Sequence, residues 1–368
     1  MKISLSSPHI TPLERRAILG VLETPNLSRG PKVREFEERL ASYIGVSYGV
    51  AVNSGTSGLH LSIKALGLKE GDEVITTPFS FISSSNCLLM EGIKPVFIDI
   101  DPLTYNLNPD LIEEKITPKT KSILPVHIFG CPVEMDKIQN IAKKYKLFVI
   151  EDACEAIGAK YKGGFVGKYG NVSVLAFYPN KQITTGEGGM VLTNDENIAE
   201  LCRSMRCHGF NENRLCVRLG YNYHMDEMSA ALGLAQLSRI EEILEKRENI
   251  AERYIEKLSG IEEIILPYTP NEVKRSWFVF TIRVTNGKRD KVMNYLLKSG
   301  IECKPYFDPP IHLHPLYKER FGYKKGDFPI TEKISRESLA LPFHNNLKEE
   351  DIDYVVDKLK KAIKNVTR

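Results

Sequence analysis

Residues 172–192 read VSVLAFYPNKQITTGEGGMVL, and the fold turns on how this stretch divides. Val172 to Tyr178 is an apolar run of the kind strands favour, and Met190-Val191-Leu192 is a second. Thr184-Thr185-Gly186-Glu187-Gly188-Gly189 between them is turn chemistry, so the stretch predicts two strands joined by a polar loop that carries Lys181. A lysine held between two strands loses hydration, which lowers its pKa and exposes a neutral amine as nucleophile. The plainer alternative is a solvated loop lysine, and the surrounding chain has to decide between the two.

Working outward, residues 48–195 alternate short apolar runs with helical patterns. Strands are expected at 48–52, 73–76, 95–100, 122–129 and 147–150, with helices near 56–67, 80–91, 109–115 and 134–145. Such alternation predicts an α/β protein with a mostly parallel sheet covered on both faces and its ligand outside the carboxyl ends of the strands. Residues 226–257 carry apolar positions at helical spacing and read as one long helix or two. Beyond them a strand at 277–284, a helix near 288–299 and a closing helix near 349–365 make a second unit. The Pro-, Tyr- and His-rich stretch 304–329 reads as a functional loop.

A chain of 368 residues, 42% hydrophobic and 26% charged, exceeds one ordinary core and predicts two domains. The net charge of +3, with both signs mixed, offers no footprint for nucleic acid or an acidic membrane. Seven cysteines without a C-x-x-C pair are expected to be reduced thiols in a cytoplasmic protein. The opening MKISLSSPHITPLERR has no apolar core of a signal peptide, and no run approaches the ~18 residues of a membrane span.

Three further stretches fall at expected strand ends. Asn53-Ser54-Gly55-Thr56-Ser57-Gly58 follows a strand and opens a helix, where free N–H groups and the dipole attract an anion; an ordinary N-cap turn reads the same way. It lacks the Gly-Lys-Ser/Thr of a nucleotide P-loop. Glu151-Asp152 ends another apolar run, and no histidine stands at ligand spacing, so no metal is expected. Phe79 and Phe81 end a third, where an aromatic can stack on a planar ring or simply fill core. An anion turn, an aromatic, a strand-end acid and a lysine suit pyridoxal 5′-phosphate (PLP), which needs a phosphate cradle, a ring stack, an acid at its pyridine nitrogen and a lysine to carry it.

These motifs resemble the DegT/DnrJ/EryC1/StrS family of PLP-dependent nucleotide-sugar aminotransferases. Phe177-Tyr178-Pro179-Asn180-Lys181 with Thr185-Gly186-Glu187-Gly188-Gly189 carries most of the likeness, joined by Leu219-Gly220-Tyr221-Asn222-Tyr223-His224-Met225 and Glu151-Asp152-Ala153. The resemblance implies the fold-type I aminotransferase architecture: a large domain (1–250) with a mostly parallel seven-stranded sheet between helices, and a smaller C-terminal α+β domain (251–368). It assigns Lys181 to the covalent link with PLP and Asp152 to the pyridine nitrogen. Phe81 matches the stacking aromatic and Gly55, Thr56 and Ser57 the phosphate turn. Asn222 matches an asparagine that reaches the phosphate of the neighbouring subunit, implying a homodimer. The loop with His312, His314 and Tyr317 resembles the segment enclosing the sugar nucleotide. Three positions depart from the pattern: Ala176 where serine is common, Glu155 where glutamine or histidine is common, and His224 where arginine is common. An ionised Glu155 beside the cofactor's phenolic oxygen would repel it, so Glu155 is expected to be protonated or turned away.

The implied reaction is a ping-pong transamination from L-glutamate to a keto group of a UDP- or dTDP-linked sugar, with Lys181 moving the proton. Lys181 stands where the sugar dehydratases of the superfamily carry histidine. The remaining alternatives are an aminotransferase acting on a cyclitol ketone and a PLP-binding protein without turnover.

Overall fold

The computed structural model describes residues 2–367. Thirteen strands follow in chain order: β1 (Tyr48–Val52), β2 (Glu73–Thr76), β3 (Lys94–Phe97), β4 (Thr120–Ile123), β5 (Phe148–Asp152), β6 (Lys160–Tyr161), β7 (Gly164–Phe165), β8 (Val172–Ala176), β9 (Gly189–Thr193), β10 (Ile264–Ile265), β11 (Val273–Lys274), β12 (Phe280–Val284) and β13 (Ser338–Leu341). Seven form the central sheet in the order β1-β9-β8-β5-β4-β2-β3. Only β9 runs antiparallel to its neighbours in that sheet, pairing Ala176 with Gly189 on one side and Val52 with Gly189 on the other. This is the fold-type I architecture.

The strands β1, β8 and β9 are almost wholly apolar because both their faces are covered. Val50, Val52, Val172, Val174 and Val191 pack in one cluster with Leu59, Leu61 and Ile63 of α3 (Gly55–Ala65). The alternate residues Ala51, Leu175, Met190 and Leu192 pack with Phe36 and Leu40 of α2 (Pro31–Ile44) and Leu234 of α7 (Glu227–Leu237) on the other face. The remaining helices are α1 (Pro12–Leu22), α4 (Ser83–Leu89), α5 (Met135–Tyr145), α6 (Glu196–Met205), α8 (Ile240–Leu258), α9 (Arg289–Lys298), α10 (Pro315–Phe321), α11 (Pro329–Glu337) and α12 (Glu349–Thr367).

A second cluster joins β12 and β13 with α9, α12 and the carboxyl half of α8. The expected division at residue 250 falls inside α8: Ile243 and Leu244 pack with the large sheet, Ile250 and Tyr254 with the small one. Ile3 crosses over, bridging Ile301 and joining the second core, while Leu5 packs against the core of the large sheet.

Four elements differ from expectation. The strand expected at 122–129 is β4, ending at Ile123, and a 3-10 turn at Ile128–Gly130 takes its far end, where Phe129 adopts φ +54°. The helix near 109–115 is two short 3-10 turns, since Pro118 biases Thr117 away from helix and the segment cannot extend. The long pattern 226–257 breaks at Ser238-Arg239; the Ser238 hydroxyl donates to Ala235 O at 2.7 Å and Arg239 leaves helical geometry to pair with Glu14. Inside the expected loop 304–329 lies α10, with Pro315 at its first position and Gly322 closing it at φ +75°.

Glu151 and Asp152 are not a pair, because successive strand residues point to opposite faces. Glu151 is wholly buried and accepts from His127 Nε2 at 3.1 Å and from the N–H groups of Gly167, Tyr169 and Gly170 at 2.8, 2.7 and 2.6 Å. His127 Nδ1 accepts from Val133 N–H at 3.1 Å, which leaves the proton on Nε2 facing Glu151. One carboxylate thus gathers three loop amides behind the strand that presents Asp152. Glu151→Ala strands those donors in the core and is expected to lower unfolding free energy by about 3 kcal/mol or more in urea titration, with Glu151→Gln losing less. Equal stability of the alanine variant would contradict this role.

Candidate active site

A cavity of about 460 Å³ opens at the carboxyl ends of β5 and β8, within the range of small-molecule sites. Its floor is the first turn of α3. Ser54 caps that helix, its hydroxyl accepting from Ser57 N–H at 3.1 Å, and Gly58 N–H goes to Ser54 O. The first helical N–H groups have no partner within the helix, so Gly55 and Thr56 remain as donors toward the cavity they line. Glycine is required at 55: a Cβ there would stand 2.8 Å from Ala176 Cβ and 2.9 Å from Cys154 Sγ.

Asp152 ends β5 and lines the same cavity, nearly buried. Ser84 donates to its Oδ2 at 2.7 Å and Cys154 N–H to its Oδ1 at 3.2 Å. Ser84 is oriented in turn, since its proton is committed to Asp152 and Ser80 must donate to it across 2.8 Å. The carboxylate is thus aimed by hydroxyls that leave room for one further donor from the cavity.

Lys181 lies in the loop between β8 and β9, whose base is closed by Phe177 N–H to Gly188 O and Thr185 N–H to Phe177 O, both 2.9 Å. Its ammonium stands 4.0 Å from the centre of the Phe278 ring and 3.8 Å from Glu155 Oε1. The backbone beneath is held by two buried side chains. Arg247, fully buried, donates to Trp277 O at 2.9 Å, Phe278 O at 3.2 Å and Lys181 O at 3.4 Å. Gln182 Nε2 donates to Glu155 O and Ser276 Oγ at 2.7 and 2.8 Å.

Glu155 is not turned away; it lines the cavity, and Phe129 N–H donates to its Oε2 at 2.9 Å. Burial pushes its carboxyl above the ordinary value, against the pull of the Lys181 charge. Cys154, packed against Asp152, is driven well up by burial and by that carboxylate, so it stays a thiol. His224, where arginine was the common residue, lies near Arg29 and Arg206; burial and those charges push it below the usual histidine value.

Gly55, Thr56, Phe81, Asp152, Glu155 and Lys181 therefore line one cavity, and Phe81 presents a ring that is 62% exposed. Four expected residues do not. Ser57 closes the turn, giving its N–H to Ser54 and its hydroxyl to Asn53 Oδ1 at 2.6 Å. Tyr317 is wholly buried beside Phe97, its hydroxyl donating to Asn86 Oδ1 at 2.8 Å, so it is core rather than substrate contact. His314 caps α10 outside the cavity lining. Asn222 is exposed and outside its own cavity, its backbone O accepting from Asn53 Nδ2 at 3.3 Å. Sequence reasoning missed Ser84, Phe278, Lys304, Tyr306 and Phe307, which line the same cavity. The signal for three of these was the start of the Pro- and Tyr-rich stretch rather than its histidines.

The residues fit PLP. An N-terminal helix turn with two open donors suits a phosphate, an aimed buried carboxylate suits a protonated ring nitrogen, and a lysine amine completes the donor set. Among the described residues no group of three or more His, Cys, Asp or Glu is placed to hold a metal.

The chain matches the DegT/DnrJ/EryC1/StrS aminotransferase family over residues 8–360. It is 38% identical over 369 residues to a GDP-perosamine synthase of Caulobacter vibrioides, covering 98% of each chain. Its fold superposes on the Helicobacter pylori aminotransferase PseC with a TM-score of 0.95 at 28% identity, over 99% of this chain and 100% of that one. The PLP form of a putative sugar aminotransferase, Spr1654 of Streptococcus pneumoniae, gives 0.95 at 27% identity and covers 100% of both. The chain belongs to this family and is a PLP-dependent aminotransferase.

Two outcomes follow from the site. Gly55→Ala is expected to weaken PLP binding at least tenfold, read by titrating PLP into the apoprotein, because α3 must shift off Ala176 and Cys154. Glu155 holds its proton more tightly folded than unfolded, so it destabilises the PLP-free protein progressively as pH rises from the ordinary carboxyl range through its raised pKa. The melting temperature of Glu155→Gln relative to wild type should climb over that interval; a pH-independent difference would mean that folding leaves the Glu155 carboxyl at its unfolded pKa.

Proposed function

We propose that this chain moves an amino group from L-glutamate to the keto carbon of a nucleotide-linked sugar, working as a homodimer. The observation that carries the reading is the convergence of Lys181, Asp152 and the open first turn of α3 on one cavity. The relatives favour sugars: one is a GDP-perosamine synthase and another is an aminotransferase of pseudoaminic acid biosynthesis. GDP thereby joins UDP and dTDP among the bases to be tried.

When bound, PLP supplies an electrophilic carbon and a ring that takes up the electron pair released at the donor's α-carbon. The chain supplies everything else. Gly55 and Thr56 N–H groups hold the phosphate and Phe81 covers the ring. Asp152 holds a proton on the ring nitrogen, keeping its charge beside a carboxylate. Glu155, whose carboxyl burial pushes above its ordinary value, stands where glutamine or histidine is common in the family pattern, and the same burial weakens the repulsion an ionised acid would exert there. Lys181 would hold the cofactor, and its free amine would take the proton from the donor's α-carbon as general base and give it back as general acid. Phe278 and the loop around Lys181 keep the amine out of bulk water.

The homodimer rests on the segment before Asn222. Leu215, Val217 and Leu219 are exposed by 61, 51 and 71%, an unusual run of apolar surface. Tyr221 and Tyr223 stack at 4.8 Å on the inner side and fix the strand on which Asn222 faces out. We assign Asn222 to the partner's phosphate.

Lys181→Ala should still bind PLP yet leave it unchanged by L-glutamate, and Asn222→Ala should weaken PLP binding about tenfold or more. In a mixed dimer of the two variants one site regains both residues, so each mixed dimer should have about half of wild-type activity and a randomly reassociated equimolar mixture about a quarter. No recovery on mixing would overturn the shared site; full activity of Lys181→Ala would overturn the reaction.

A further inference from the structure

The cavity holds a second lysine that the transfer leaves without a part. Lys304 lines it from the second domain, and its backbone is fixed there by Ala340 N–H donating to Lys304 O at 2.9 Å. Its ammonium stands 4.6 Å from the centre of the Tyr306 ring. Among the described residues it makes no ion pair with a carboxylate, although the cavity contains two buried ones. Asp152 is committed to Ser84 and the Cys154 amide, and Glu155 to the Phe129 amide and Lys181. Lys304 lies within electrostatic reach of both Glu155 and Lys181; burial pushes it below the ordinary lysine value, Glu155 opposing and Lys181 adding to that.

The chemistry says what such a cation is for. The donor's α-carbon must come to the Lys181 amine, and in an α-amino acid the carboxylate is one bond from that carbon. A carboxylate drawn into a cavity away from water needs a positive partner. The phosphate turn on α3 is occupied by the cofactor's own anion, and Lys181 is engaged in proton transfer. An anion of the acceptor, its diphosphate, is separated from the reacting keto carbon by the sugar ring. It therefore reaches a cation beside Lys181 less directly.

We infer that Lys304 receives the α-carboxylate of the amino donor, so that the second domain selects α-amino acids; this rests on the transamination reading above. Lys304 holds the carboxylate through its ammonium and orients the α-C–H toward Lys181, and it takes no part in the proton transfer itself. The Tyr306 ring beneath the ammonium restrains its position.

The test uses the PLP-loaded enzyme without acceptor, so an error in the sugar assignment leaves it intact. Wild type, Lys304→Met and Lys304→Arg are titrated with L-glutamate while the long-wavelength absorption of the lysine-bound cofactor is followed. The apparent dissociation constant for glutamate should rise at least tenfold in Lys304→Met and recover largely in Lys304→Arg. PLP affinity and the KM for the keto-sugar acceptor should be unchanged. With 4-aminobutanoate, which is glutamate without its α-carboxylate, the residue at 304 should make no difference. An unchanged glutamate constant in Lys304→Met overturns the inference. So does a change confined to the acceptor, which would assign Lys304 to the diphosphate, or a dependence that persists with 4-aminobutanoate, which would assign it to the side-chain carboxylate. A wild-type enzyme that accepts nitrogen from no α-amino acid fails visibly before any variant is made, and removes the transamination reading and this inference together.

Discussion

The structure depends on a direct backbone contact at the mouth of the sheet. β9 enters antiparallel between β1 and β8, and its first residue, Gly189, lies against the turn that follows β1. A Cβ at 189 would stand 2.6 Å from Ser54 O and 2.8 Å from Gly55 N, so only glycine lets strand and turn touch. That contact sets the lysine loop beside the helix start. Gly55 repeats the demand from the other side, where Ala176 and Cys154 close in. Phosphate turn and lysine are thus neighbours through glycine packing, although more than a hundred residues separate them.

Burial then sorts the charges. Glu151 and Asp152 are adjacent in sequence, but the strand sends them to opposite faces and to different work: one gathers loop amides, the other faces the cavity. Glu155, one turn further, is driven toward its neutral form by the same burial that keeps water from Lys181. Arg247 sits buried, among the described residues without a carboxylate partner, its guanidinium shared among the carbonyls of Trp277, Phe278 and Lys181. This arrangement ties the lysine loop to the segment that carries Phe278. The helix α8, which bears Arg247, packs into both cores.

Much of this was legible in the chain. The strand expected at 48–52 forms there, the strand at 73–76 likewise, and the lysine loop joins two strands as its apolar flanks require. Motif residues at strand ends converged because a parallel sheet brings all its carboxyl ends to one edge. The misreadings share a cause. Ser57 and Tyr317 carry the right chemistry in the right neighbourhood, yet one is spent closing the helix turn and the other is core, through contacts with Asn53 and Asn86. Local sequence shows that a side chain is polar or aromatic; it does not show which neighbour claims it.

What the sequence determined by itself was the class of sheet, the lysine, the acid and the anion turn, because each follows from short-range rules of period, turn chemistry and helix starts. Only the tertiary structure decided that Glu155 faces the cavity rather than away from it. The same holds for the aim of Asp152, which depends on Ser84, and for Phe278 and Lys304, which arrive from the second domain. Those placements depend on contacts between residues far apart in the chain, and on burial, which no local pattern encodes.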